Sequence, residues 1–268
     1  MATGDDRYLV GGLIRGLAVL RCFDRDHPSL SLGEIAKLLS WRRSEPFRYL
    51  HTLETLGYVR RDAVTKRYTL TPKALEFGFA ALAHMQLPEL AQPYLDRLRD
   101  RANGSAHVGI LDGAEVVYVA RSASRSIWGT SITVGSRLPA HATSIGKTLL
   151  AAKDAASLKE WLRGRELARY TKNTLAEQRA FVAELAQIRS HGYAISNQEF
   201  ELGLRSVAAP IRNEGGDTIA ALNVTAPAAT FNDEVLGTVV IPAVVETAGE
   251  LSAAYGWRGN RSRQEVGA

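Results

Sequence analysis

The stretch Leu30–Val59, LSLGEIAKLLSWRRSEPFRYLHTLETLGYV, decides the reading of the first third of this 268-residue chain. Ser31 and Glu34 have the spacing of a capping box, and Leu32, Ile35, Ala36 and Leu39 follow at helical intervals, so a first helix starts sharply and carries one apolar stripe. Ser40 and Trp41 break the pattern. A second helix follows in which Leu50 and Leu53 share one face while Ser44, Glu45, Arg48 and Thr52 share the opposite one. Pro46 belongs in a first turn, where its missing N–H has no partner to lose, and so dates the start of this helix to about Arg43 or Ser44. That places Arg42, Arg43, Ser44, Phe47 and Arg48 at the N-terminal end, the end from which recognition helices read DNA bases.

Beyond Gly57, the run YVRRDAVTKRYTL reads as a β-hairpin with strands around Tyr58–Arg61 and Arg67–Leu70. Arg60, Arg61, Lys66 and Arg67 are expected at its tip, where the wing of a winged helix-turn-helix meets phosphates. Residues 1–83 hold thirteen Lys and Arg against nine Asp and Glu, so they carry +4 of the formal +5 of the whole chain. Such a patch suits double-stranded DNA, whose binding releases counterions.

Length and an apolar content of 46% favour two domains, each with a core of its own. No apolar run of about 18 residues and no signal peptide are recognised, which sets the expectation of a cytoplasmic protein without membrane contact. The single cysteine, Cys22, lies on the apolar segment GLAVLRCF and reads as a small core residue. Thr71-Pro72 opens a further helix, PKALEFGFAALAHM, apolar on more than one side and therefore expected to bury surface, preferably in a dimer. A helix from Pro88 through Leu98 leads into strand-like runs SAHVGILDG, AEVVYVARSA and SIWGTSITVG. Helices are expected at Ser144–Ala152, Ala155–Leu162 and Ala176–His191, then strands in GYAISNQE, RSVAAPIRN and DTIAALNVT, the last two joined by a turn at Asn213–Gly216. A closing helix spans Asp233 to about Tyr255. Two groups of strands with helices between and after them make an α+β domain.

HATSIGKT, His141–Thr148, imitates a phosphate-binding loop but has His141 where the first glycine is required. What remains is a helix start whose free N–H groups at Ser144, Ile145 and Gly146 suit a small carboxylate, or a helix merely capped by Thr143 or Ser144. The six histidines lack the spacing of a metal site, no nucleophile elbow occurs, and Glu199 and Glu201 fall at the polar end of a strand, where exposure is expected. No catalytic constellation and no cofactor site emerge.

The pieces IRGLAVLRCFD, LHTLETLGYV, LTPKALEFG, LPAHATSIGKTLLA and QEFELGLRSVAAPIRNEGGDTIAALNVTAP together resemble the IclR-type transcription factors over residues 9–255. LPAHATSIGK and GLRSVAAPIR look most like the branch that regulates aromatic-acid catabolism, including protocatechuate, 4-hydroxybenzoate and the β-ketoadipate pathway. The resemblance implies a winged helix-turn-helix at 8–71, a linker and dimerisation helix at 72–84, and a GAF/PAS-like α+β effector-binding domain at 85–257. It further implies a homodimer or a dimer of dimers, and a small organic acid as effector. Carried over by position, the family's pocket places helix-start amides at Ser144, Ile145 and Gly146 and a polar wall at Ser196, Asn197, Ser206, Asn223 and Thr225. Asn197 stands where relatives have aspartate, and Ser206 where glyoxylate- and pyruvate-type members have cysteine, which argues against those effectors. An aromatic effector needs an apolar slot, for which Trp128, Leu138 and Tyr193 are the nearby choices, each equally suited to the core. Arg137 suits either a ligand carboxylate or a surface ion pair. The rival readings are an enzyme acting on a small carboxylic acid and a DNA-binding assembly protein whose C-terminal domain binds no ligand.

Overall fold

Ser31 and Glu34 close a reciprocal capping box. The Ser31 hydroxyl accepts from the Glu34 N–H at 3.3 Å, and the Glu34 carboxylate accepts from the Ser31 N–H at 2.7 Å. The computed structural model describes residues 8–24, 26–78, 86–125 and 132–259. The chain divides into two compact units, residues 1–84 and 85–268.

In the first unit α1 (Gly11–Leu20), α2 (Leu32–Leu38) and α3 (Glu45–Thr55) precede a two-stranded hairpin, β1 (Val59–Arg61) and β2 (Tyr68–Leu70). Its core gathers Val19, Cys22, Phe23, Leu30, Ile35, Leu50, Leu53, Val59 and Tyr68. Cys22 is thus the packed residue its sequence context implies, and burial raises the pKa of its thiol. Beyond the hairpin, Thr71 caps a short 3-10 turn, Pro72–Ala74, from which the chain goes on in helix to residue 78. The remainder of the expected linker helix, with Phe79 and Leu82, lies outside the described residues.

The first described element of the second unit is α4 (Gln86–Ala102), already helical before Pro88. A six-stranded antiparallel sheet follows in the order β5-β4-β3-β8-β7-β6. Its strands are β3 (Ser105–Asp112), β4 (Glu115–Ser122), β5 (Arg137–Pro139), β6 (Ala194–Asn197), β7 (Leu204–Arg212) and β8 (Thr218–Pro227). The strand expected in SIWGTSITVG falls partly outside the described residues; its end, 132–135, is irregular chain closing in a turn, and the pairing with β4 is made by Arg137–Pro139 instead. Gly135 adopts φ 88°, which stops extended backbone there.

Between β5 and β6 run α5 (Ser144–Ala151), α6 (Ala155–Leu162) and α7 (Gln178–His191). Every residue of α5 is buried. It packs on the central strands, where Gly109 leaves room: a Cβ there would lie 3.1 Å from Ile145 and 2.6 Å from Val116. After β8 come a helical turn (Asp233–Val235), a π-helical stretch (Leu236–Val240) and α8 (Ile241–Ala254). By length and composition Asp233–Ala254 could cross a membrane, so the expectation that no apolar run reaches that length is corrected. Ala243, Val244, Thr247, Ala248 and Leu251 are buried, and α8 packs against β7 and α4, the position of a core helix.

Candidate functional site: a DNA-reading face and a small cavity with a polar wall

In the first unit, helix α3 begins at Glu45 with Ser44 as its N-cap, one or two residues later than Pro46 alone implies. Arg42 and Arg43 therefore stand exposed in the turn before it. The Glu45 carboxylate reaches back to the Arg42 N–H at 2.9 Å and pairs with Arg15 at 3.3 Å. Pro46, Leu50 and Leu53 point inward, while Ser44, Phe47, Arg48 and Thr52 remain exposed. Phe47 stacks parallel to His51, with ring centroids 6.2 Å apart.

At the hairpin, Asp62 accepts from the N–H groups of Val64 and Thr65, which lowers its pKa and fixes the tip. Arg60, Arg61 and Lys66 are exposed there. Arg67 is not. Its guanidinium donates to the Ser29 carbonyl at 2.7 Å and to the Ser29 hydroxyl, and it pairs with Glu34 at 2.9 Å. The expectation that Arg67 crowds the wing tip is therefore corrected. Ser29 and Glu34 precede the hairpin in sequence, and their bonds to Arg67 tie the wing to the N-terminus of α2.

In the second unit, three hydroxyl residues lie side by side across the sheet, since Ser196 pairs with Ser206 and Ser206 with Thr225. Together with Asn223, two residues before Thr225 on the same face of β8, they line a cavity of about 40 Å³. Its other walls come from Tyr118, Ile132, Leu138, Ala142, Thr143, Glu199, Phe200, Glu201 and Leu204.

A directed chain of hydrogen bonds backs the polar wall. His107, buried beside Tyr118, lies with Nδ1 3.0 Å from Asn223 Oδ1. Burial drives its pKa down to about 4, so the ring is neutral and takes the Nδ1–H tautomer, donating to Asn223. The Asn223 amide then gives its two hydrogens to the Ser144 hydroxyl at 3.3 Å and the Thr225 hydroxyl at 3.2 Å. Ser144, wholly buried, needs an acceptor for its own hydrogen and finds it in Ser206 Oγ at 2.8 Å. The hydroxyl hydrogens of Ser206 and Thr225 are what remain to be offered to the cavity.

Not every expected pocket residue lines this cavity. The Gly146 N–H is taken by the Thr143 hydroxyl at 3.2 Å, so Thr143 is a true N-cap, and neither Ser144, Ile145 nor Gly146 borders the open space. Asn197 is exposed, because alternation along β6 turns it away from the face that Ser196 shares. Leu138 lines the cavity, Trp128 lies outside the described residues, and Tyr193 stacks on His191 instead. Arg137 is engaged at the surface by Asp112 at 2.6 Å and Glu115 at 2.7 Å, an ion-pair cluster that raises its pKa.

Glu199 departs furthest from expectation. Strand β6 ends at Asn197, and Gln198 adopts φ 58°, which swings Glu199 into the interior while Glu201 stays exposed. Glu199 Oε1 accepts from Lys147 Nζ at 2.7 Å, and the same ammonium donates to Glu184 at 3.0 Å and the Ile195 carbonyl at 2.7 Å. The lysine of the phosphate-loop imitation is thus spent on an internal triad. Among the described residues, no group of three or more His, Cys, Asp or Glu could hold a metal ion.

Residues 12–63 match the family model described as the IclR helix-turn-helix domain, and residues 79–253 match that of the bacterial transcriptional regulator IclR C-terminal domain. The chain is 40% identical to the Pca regulon regulatory protein of Pseudomonas putida, over 83% of this chain and 76% of that protein. It is 35% identical to the p-hydroxybenzoate hydroxylase transcriptional activator of Acinetobacter baylyi, over 90% of each. Among solved structures, the inducer-binding domain of a double mutant of the Acinetobacter PobR transcription factor, complexed with 3-hydroxybenzoic acid, is similar at 35% identity and a TM-score of 0.57. That match covers 62% of this chain and 97% of that one. With both models matched and relatives of this identity along most of its length, the chain belongs to the IclR family of helix-turn-helix transcriptional regulators.

Proposed function

We propose that the chain is a cytoplasmic, homodimeric regulator whose hold on its operator is set by a small organic acid, aromatic or drawn from aromatic catabolism, and that it catalyses no reaction. Residues 8–71 would grip DNA, 72–84 would link and dimerise, and 85–257 would receive the effector. The observation that carries this reading is the hydroxyl row Ser196, Ser206 and Thr225, which lines the cavity. Hydroxyl donors are what a carboxylate needs once it leaves water. Relatives named for the Pca regulon and for p-hydroxybenzoate hydroxylase support the aromatic assignment.

The cavity is about 40 Å³, against roughly 300 Å³ at the lower end for small-molecule sites. A benzoate-sized acid therefore enters only if the walls around Phe200 and Leu204 give way. Differential affinity for closed and opened walls is the free energy that an effector has available to alter DNA binding. Arg42, Arg43, Ser44, Phe47 and Arg48 would face the groove, with Arg60, Arg61 and Lys66 on the flanking phosphates.

The test is footprinting of the full-length protein on the DNA flanking its own gene, with and without 4-hydroxybenzoate, 3,4-dihydroxybenzoate and adipate. A protected site whose half-saturation shifts with one of these acids is expected. A site that ignores all of them would leave a DNA-binding assembly protein as the better description.

A further inference from the structure

Resting on the effector reading above, we infer that Glu199 is a specificity-determining residue of the cavity, whose free carboxylate oxygen accepts a hydrogen bond from a hydroxyl group on the bound acid. Glu199 is 6% exposed and lines the cavity. Its two oxygens are treated differently by the fold. Oε1 receives Lys147 Nζ at 2.7 Å and the Asn197 N–H at 3.3 Å. Oε2 is buried and has no hydrogen-bond partner among the described residues. Leaving such an oxygen without a donor costs free energy, and groups of this kind occur where a ligand or water completes them.

The cavity is polarised to match. On the sheet side, Ser206 and Thr225 offer hydroxyl hydrogens, since the relay from His107 through Asn223 and Ser144 already donates once to each of their oxygens. Glu199 brings an acceptor to the lining of the same cavity, while the nearby cation, Lys147, is shared between Glu184, Glu199 and the Ile195 carbonyl. The hydroxyl pair thus suits a carboxylate and Glu199 suits a donor. A plain carboxylic acid fills the first and leaves Oε2 unmatched; a hydroxy acid fills both. An anionic group placed against Glu199 would meet like charge, because one lysine cannot neutralise two carboxylates. Burial, the main influence on the Glu199 pKa, raises it despite Lys147, the direction expected of a carboxylate short of donors.

Calorimetric titration of the full-length protein with 3- and 4-hydroxybenzoate, against benzoate and 4-fluorobenzoate, reads this directly. The wild type is expected to bind at least one hydroxy acid about tenfold or more tightly than the acids without a donor, the size of one hydrogen bond to a charged group. Glu199→Gln places an amide where the acceptor stood and should bring that ratio close to one. Glu184→Gln removes the other carboxylate on Lys147 without touching the cavity and should preserve it. Equal affinity of the wild type for both classes overturns the assignment, as does a ratio that survives in Glu199→Gln. If Glu199→Gln does not fold, the wild-type ratio decides by itself. Saturable heat with none of the four acids overturns this assignment, and if adipate and 3,4-dihydroxybenzoate are silent as well it overturns the effector reading with it, whereas an effector that binds without regard to its hydroxyl overturns this assignment alone.

Discussion

Lys147 Nζ and Glu199 Oε1 meet at 2.7 Å with the lysine side chain 1% and the glutamate side chain 7% exposed, so helix α5 is fastened to the end of β6 by an ion pair removed from water. Glu184 on α7 holds the same ammonium at 3.0 Å. Three elements that border or support the cavity therefore share one cation.

Removing that cation is expected to be costly. Lys147→Met leaves a buried carboxylate without its charge partner, a loss of about 3–5 kcal/mol by analogy with broken buried pairs. Chemical denaturation at pH 7.5 measures it. Burial already raises the Glu199 pKa, and loss of Lys147 raises it further. The folded state then holds a proton that the unfolded chain releases above the ordinary carboxylate range. The variant's deficit relative to wild type should shrink as pH falls toward that range, and a deficit constant between pH 7.5 and 5 would contradict the buried pair.

His107 gives the domain a second pH dependence of its own. Its pKa in the folded protein is lowered from 6.5 to about 4, chiefly by burial. Above 6.5 the ring is neutral in both states and burial carries no proton-linked penalty. Below 6.5 the unfolded chain takes up a proton that the folded one refuses, so stability falls with pH until about 4. Up to about 3 kcal/mol is lost over that window. Denaturation of wild type and His107→Gln at pH 7.5 and 4.5 tests the sign: the variant should lose less stability on acidification than the wild type does.

The first domain was legible because its signals are local. A capping box, a proline in a first turn and an alternating hairpin each involve residues within a few positions of one another, and Leu50, Leu53 and Val59 sit in the core as their spacing demands. The sheet was legible strand by strand where glycine or polar turns punctuate it. The cavity was less so. The resemblance puts Asn197 on the wall with Ser196, though adjacent strand residues face opposite ways, and composition puts Glu199 at the surface, though its strand ends before it. Its burial is settled by Lys147, 52 positions away, and a lysine in α5, a helix otherwise without charge, was the sequence sign that an acid had to meet it. Arg67 was misread for a similar reason: its partners, Ser29 and Glu34, come from before the hairpin.

Gly146 is held by contact rather than by dihedral freedom. A Cβ at this position would lie 2.1 Å from the Ala140 carbonyl oxygen and 2.3 Å from its Cα, both backbone atoms that no rotamer change relieves. Gly146→Ala should therefore force α5 away from the turn before it, lowering thermal stability by several degrees or abolishing soluble expression, while Gly237→Ala, where nothing lies within 4 Å, should cost little. Melting curves of the two variants side by side supply the comparison.

The DNA-reading face separates residues by what they touch in the free protein. Arg48 is exposed on α3 and makes no side-chain bond among the described residues, whereas Arg67 is tied to Ser29 and Glu34. Arg48→Ala is expected to weaken binding to the operator by about 1–3 kcal/mol and to random DNA by less, the mark of a base contact. Arg60→Ala, at the wing, should weaken both alike and reduce the log–log salt slope by about one; a patch with about six phosphate contacts has a slope near −5. Arg67→Ala should act otherwise, loosening the wing and lowering the melting temperature of the free protein, because the bonds it loses are internal. Mobility shifts at several salt concentrations, with melting curves of the same samples, distinguish the three. Equal losses at operator and random DNA for Arg48→Ala would make it a phosphate ligand, and an unchanged melting temperature for Arg67→Ala would place that side chain on the DNA after all.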